Sequence, residues 1–115
     1  NQRWISNFAE LEDKIDFLVL YGSILHSPKD AGDIDILSVV KNKRQFVEID
    51  KVITKIQLTQ IKKIHTIDFT KEEFKNELIV QNNKAFIDAI EKGVVLFGQE
   101  KFIKFIRGLN RFYIR

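Results

Sequence analysis

The chain has 115 residues, which fits one domain, and its 44% hydrophobic content with ten Phe supplies an apolar core without covalent staples. Cysteine is absent, which excludes disulfides and thiolate metal sites and fits a reducing compartment, so a cytoplasmic protein is the expectation. The net charge of +3 admits an anionic ligand without arguing for nucleic acid, and no apolar run approaches a membrane span or a signal-peptide pattern.

Taken in chain order, Trp4, Ile5, Phe8 and Leu11 recur at helical spacing and predict an amphipathic helix over 3–14. Residues 15–21 read as a buried strand. Residues 22–32 form a connection that holds the only proline, Pro28, and begins with a short helical turn from Ser23 to His26. Residues 33–40 are a second strand. Phe46, Ile49, Ile53 and Ile56 mark a helix from about 45 to 60, and Ile64 to Phe69 reads as a third strand. Thr70-Lys71-Glu72-Glu73 is a capping box that opens the next helix, whose core face carries Phe74 and Leu78. Asn82-Asn83 reads as a break and a new cap. Phe86 and Ile90 lie on a further helix ended by Gly93. Val94 to Phe97 is a short strand closed by Gly98, and a last helix from about 99 to 108 leads into a basic tail. Strands alternating with helices predict an α+β (or α/β) fold, a small mixed β-sheet flanked by helices. One domain over 1–115 is expected. The start at Asn1, without Met, also fits a piece of a longer protein.

The chemistry-bearing feature is Gly22-Ser23 followed by Asp33-Ile34-Asp35. The Gly-Ser turn closes the apolar run Phe17-Leu18-Val19-Leu20-Tyr21, and the aspartates open the run Ile36-Leu37-Ser38-Val39-Val40. On a strand, Asp33 and Asp35 share a face, because side chains alternate with period two. Two carboxylates on one face suit a hard divalent cation such as Mg²⁺. A Gly-Ser turn lets a phosphate approach backbone N–H groups and a hydroxyl. Together they point to phosphoryl or nucleotidyl transfer.

The segments Leu20-Tyr21-Gly22-Ser23 and Gly32-Asp33-Ile34-Asp35-Ile36-Leu37, with an ending at Ala89 to Gly98, resemble the DNA polymerase β-like nucleotidyltransferase superfamily, above all its minimal single-domain members. The resemblance covers roughly residues 15–100. It implies that Asp33 and Asp35 hold two Mg²⁺ ions bridging a nucleoside triphosphate, ATP or another, and an attacking hydroxyl, since a two-metal site stabilises both the entering and the leaving oxygen. It implies that Gly22 leaves room for a phosphate and that Ser23 hydrogen-bonds the β or γ phosphate. An NMP, AMP by expectation, passes to a hydroxyl of a protein or small-molecule acceptor, and pyrophosphate leaves. Many members use a third carboxylate on a later strand. The candidate is Asp68, as a metal ligand that also helps deprotonate the acceptor, against a plain strand-end residue before the capping box.

The turn departs from the family pattern. Ile24-Leu25-His26-Ser27 stands where small relatives often carry an aromatic or Arg and then Ala-Arg-Gly, and Gly32 precedes Asp33. Small relatives also imply a helical, toxin-like partner protein, with the domain as antitoxin. The alternative is a non-catalytic nucleotide-binding or partner-regulating module, in some relatives joined to a DNA-binding domain. Direct nucleic-acid binding is not expected to be primary.

Other residues carry less. His65 falls on the opposite face from Asp68 and reads as a buried or edge histidine. His26 is either a nucleotide contact or a loop residue. Lys41, Lys43 and Arg44 read as an exposed basic turn, or as a contact to a polyanionic acceptor. Phe102, Ile103, Phe105 and Ile106 give the last helix an apolar face, read as packing with a solvated basic side. P-loop, dinucleotide-binding and His-x-x-x-His metal motifs are absent.

Overall fold

The structure, a computed structural model, describes residues 3–113, with side chains described from Ile5 to Leu109. Its centre is a four-stranded mixed sheet in the order β3-β2-β1-β4. The strands are β1 (Phe17–Tyr21), β2 (Asp33–Val40), β3 (Lys63–Thr70) and β4 (Val94–Phe97). β1 runs antiparallel to both β2 and β4, and β2 runs parallel to β3. The parallel pair requires a crossover, which α2 (Arg44–Gln57) supplies. The remaining helices are α1 (Arg3–Ser6), α3 (Lys71–Ile79), α4 (Lys84–Lys92) and α5 (Gln99–Tyr113). The fold is a small α+β domain, and among the described residues no helix is long and apolar enough to cross a membrane.

The continuous apolar runs of β1 and β2 have a plain cause: both faces of the central strands are covered. On one face Leu18, Leu20, Ile34, Ile36, Val40 and Ile64 pack against Phe8, Leu11 and the α2 residues Ile49, Val52, Ile53 and Ile56. On the other, Phe17, Val19, Leu37 and Val39 pack against Phe74, Leu78 and Leu109, with Phe102 and Phe105 of α5 at the margin. Phe17 meets Phe102 edge-on at 5.3 Å, and Phe74 stacks on Phe105 at 5.6 Å. These ring pairs add about 1 kcal/mol each beyond the area they bury.

The capping box forms in full: the Thr70 hydroxyl accepts from the Glu73 N–H at 3.1 Å, and the Glu73 carboxylate accepts from the Thr70 N–H at 2.9 Å. The Asn82-Asn83 break also forms. Asn82 takes φ 50°, and the Asn83 side chain caps α4 by accepting from the Ala85 N–H at 3.2 Å. Two expected helices change. The helix expected over 3–14 is α1 followed by a 3₁₀ turn, Asn7–Leu11. The side chain of Trp4 lies outside the described residues. The last helix runs through Gly108 to Tyr113, because its apolar face continues to the buried Leu109 and Gly108 sits in open space. The basic tail beyond Leu109 lies outside the described side chains.

At the end of the sheet where β1 begins, Asp16 is buried between Lys71 at 3.5 Å and Lys101 at 3.7 Å. Gly98 closes this corner with φ +79°, and a Cβ there would run into the Asp16 carbonyl.

Candidate functional site

The opposite end of the sheet gathers the end of β1 and the starts of β2, β3 and β4. Antiparallel register places Tyr21 across from Asp35. The chain then turns at Gly22, with φ +85° and ψ −161°, a region essentially reserved for glycine. A Cβ on Gly22 would collide with the Asp35 carboxylate Oδ2, so the turn and the carboxylate are in contact. A 3₁₀ turn, Ser23–Leu25, follows and is anchored in the core by buried Ile24. Ser23 itself is exposed, and its hydroxyl has no hydrogen bond to a described residue.

Ile34 and Ile36 point into the α2-side core, so Asp33 and Asp35 share the other face, as the alternation requires. They sit ahead of Leu37 and Val39 on that face, at the mouth of the strand, where the helices no longer cover them. Parallel register then sets Asp33 beside Lys63 and Asp35 beside His65. Because Ile64 packs into the α2-side core, His65 faces the same side as the two aspartates. Its Nε2 lies 3.5 Å from Asp33 Oδ1, with both side chains about half exposed, at 50% and 48%. Burial pushes the Asp35 carboxyl above its ordinary value; His65 opposes that rise and Asp33 adds to it. Burial also raises the Tyr21 hydroxyl, and the neighbouring Asp35 charge raises it further.

Asp68 does not join them. It pairs in register with Ser38, three residues beyond the Asp35–His65 level, a distance of roughly 10 Å along the strands. It also points to the opposite, α2-facing side of the sheet, where the buried Ser38 hydroxyl donates to its Oδ1. There burial raises its carboxyl, the Ser38 hydrogen bond lowers it, and Asp50 of α2 raises it. Asp68 lines a separate cleft with Phe46, Glu73 and Glu77. The expectation that Asp68 completes a carboxylate trio with Asp33 and Asp35 is therefore corrected. An odd number of residues past Asp35 on a paired strand reverses the face. Among the described residues no group of three or more His, Cys, Asp and Glu side chains gathers into a metal-ligand cluster.

Lys41, Lys43 and Arg44 follow the far end of β2, the length of that strand away from Asp33, and Lys43 pairs with Glu73 at 3.6 Å. His26 behaves differently. It lines a cleft of about 280 Å³ with Tyr21, Gly22 and Leu25, and the facing wall is α4, through Ala85, Asp88, Ala89 and Lys92. These α4 residues recur every three to four positions and so form one helix face. The sequence reading followed the Phe86–Ile90 face of α4 and missed this one. The signal was present: Ala85 and Ala89 make a smooth stripe beside two charges. His65 was missed as well, because the strand register that seats it is not written in its local sequence.

Comparison with protein-family models, with curated proteins and with solved structures finds no match.

Proposed function

We propose that this domain binds a nucleoside triphosphate together with one Mg²⁺ ion, ATP being the first candidate. The observation that carries the reading is the contact between Gly22 and Asp35. It brings the Gly22-Ser23 turn and the carboxylate pair together in one site. Mg²⁺ typically takes one or two protein carboxylates and fills its remaining positions with phosphate oxygens and water. Asp33, half exposed, and Asp35, partly buried, lie on one face and fit that ligand set. Such an ion would screen the triphosphate charge that two bare carboxylates would repel. With Asp68 on the other face, the pair offers ligands for one ion rather than two. Ser23, exposed and with no hydrogen bond from its hydroxyl to a described residue, is available to a phosphate oxygen. The resemblance to the polymerase β-like nucleotidyltransferases, carried by Gly22-Ser23 and Asp33-x-Asp35, supports the same ligand.

The displacement of Asp68 favours a domain that senses nucleotide or regulates a partner over one built on three catalytic carboxylates. A second reading is nucleotidyl transfer, and the place of His65 beside Asp33 favours it. In that reaction an acceptor hydroxyl attacks the α-phosphorus, a new P–O bond forms, the bond to the β-phosphate oxygen breaks and pyrophosphate leaves. The acceptor proton needs a base, and the His65 imidazole is the one beside the carboxylate pair. A hydroxyl on a protein, such as a helical toxin-like partner, or on a small molecule is the acceptor class.

Calorimetric titration with ATP, GTP, CTP and UTP in the presence of Mg²⁺ tests the first reading. Binding by the wild type, weakened at least ~100-fold in Asp35→Ala, supports it, and no binding of any triphosphate refutes both readings. Mass spectrometry of candidate acceptors after incubation with ATP and Mg²⁺ separates the two. A nucleotide adduct formed by wild type but not by His65→Ala establishes transfer.

A further inference from the structure

We propose that the cleft between the Gly22 turn and α4 seats the polyphosphate tail of the bound nucleotide, with Lys92 as its cation. This rests on the reading above, that the site takes a nucleoside triphosphate. The cleft is not separate from the carboxylate pair. Gly22 and Tyr21 line it, and these same residues lie against Asp35. A ligand whose metal-bound phosphate sits at Asp35 therefore has a continuation past the turn into this space.

The walls suit an extended anion. Lys92 comes from the last turn of α4 and His26 from the end of the 3₁₀ turn, so donors converge from two distant stretches of the chain. Neither side chain has a hydrogen bond or ion pair with a described residue, so among these neither must surrender a partner to bind phosphate. Asp88 is one helical turn before Lys92, a spacing that commonly yields an ion pair, yet none forms within 4.0 Å. Lys92 faces the cleft without an ionic partner among the described residues. Ala85 and Ala89 keep this face of α4 smooth enough for close approach. Asp88 works against the anion, which gives the arrangement a sign that can be tested: the lysine attracts the tail and the aspartate repels it.

The experiment is calorimetric titration of the full chain with ATP, ADP and AMP in Mg²⁺, for wild type, Lys92→Ala and Asp88→Asn. Lys92 is exposed, so its substitution leaves folding intact. The expected result is about tenfold weaker ATP and ADP binding in Lys92→Ala, the loss of one charge-assisted contact, with AMP changed less than about twofold. Asp88→Asn tightens ATP binding. ATP binding unchanged in Lys92→Ala overturns the inference and leaves the nucleotide reading standing. Equal weakening of AMP and ATP, with Asp88→Asn also weakening both, overturns it in favour of a seat for the nucleoside. A wild type that binds no nucleotide overturns both the inference and the reading beneath it.

Discussion

The two ends of the sheet treat charge in opposite ways. Where β1 begins, Asp16 is 4% exposed and two lysines from different helices close over it. Where β1 ends, Asp33 and Asp35 stand partly exposed at the mouth of β2, with His65, Lys63 and Tyr21 as their strand neighbours. A buried carboxylate between cations is committed to holding α3 and α5 to the sheet. A partly exposed pair, with one member raised by burial and by its twin, gains from an added cation. The contrast identifies which acids are structural and which are available, although all belong to neighbouring strand ends.

Substitution at Gly22 should break the open end hardest. Gly22→Ala forces a side chain into a glycine-only conformation and into Asp35, costing about 3 kcal/mol of stability by urea titration and abolishing ATP·Mg²⁺ binding. The closed end should respond in stability alone. Lys71→Ala with Lys101→Ala leaves Asp16 buried without a counter-ion and should cost about 2 kcal/mol. That lies below the range for a fully buried pair because both lysines are half exposed, and nucleotide binding of the folded fraction should be unchanged. Intact ATP affinity in this double variant confirms that the ends are independent.

Smaller effects sharpen the picture. Thr70→Ala removes the capping box and should cost about 1 kcal/mol in thermal unfolding. The Glu73 carboxyl is held below its ordinary value by the Thr70 backbone hydrogen bond. Its stabilisation is therefore complete above the unfolded-state carboxyl range and fades as pH falls through the lower folded value. Thr70→Ala keeps that backbone N–H, so it is the wild-type advantage over Glu73→Gln, which retains an acceptor but no charge, that should shrink in acid. Asp68→Asn should be the mildest change. The amide oxygen still accepts from Ser38, and ATP binding should stay within ~0.5 kcal/mol of wild type. Because burial raises the Asp68 carboxyl, its ionised form opposes folding. The variant should unfold slightly higher than wild type at neutral pH, and the gap should close as pH falls through the folded value and Asp68 takes up its proton.

Much of the architecture was legible along the chain because its signals are local. Apolar runs located the strands, Thr70 and Glu73 announced α3, and Gly22 with Ser23 announced the turn. The first helix was misread because Ile5, Phe8 and Leu11 are spaced by three, which suits a 3₁₀ turn as well as an α-helix. The site was half legible. Period-two alternation put Asp33 and Asp35 on one face, but no local pattern states how far β3 slides along β2. That slide decided that His65, and not Asp68, stands with the pair. Lys92 was hidden for a related reason: its helix presents two faces, and only the apolar one has a periodic signature.

The same register decides where a further acid could join the pair. Position 65 lies directly beside Asp35 on the open face, on a strand already paired from Asp33 to Val40. A single exchange of His65 for an acid would install three carboxylates in one mouth without moving the backbone. No exchange at position 68 could do so. Position 65, rather than the more conspicuous Asp68, is therefore where a third carboxylate would meet the pair.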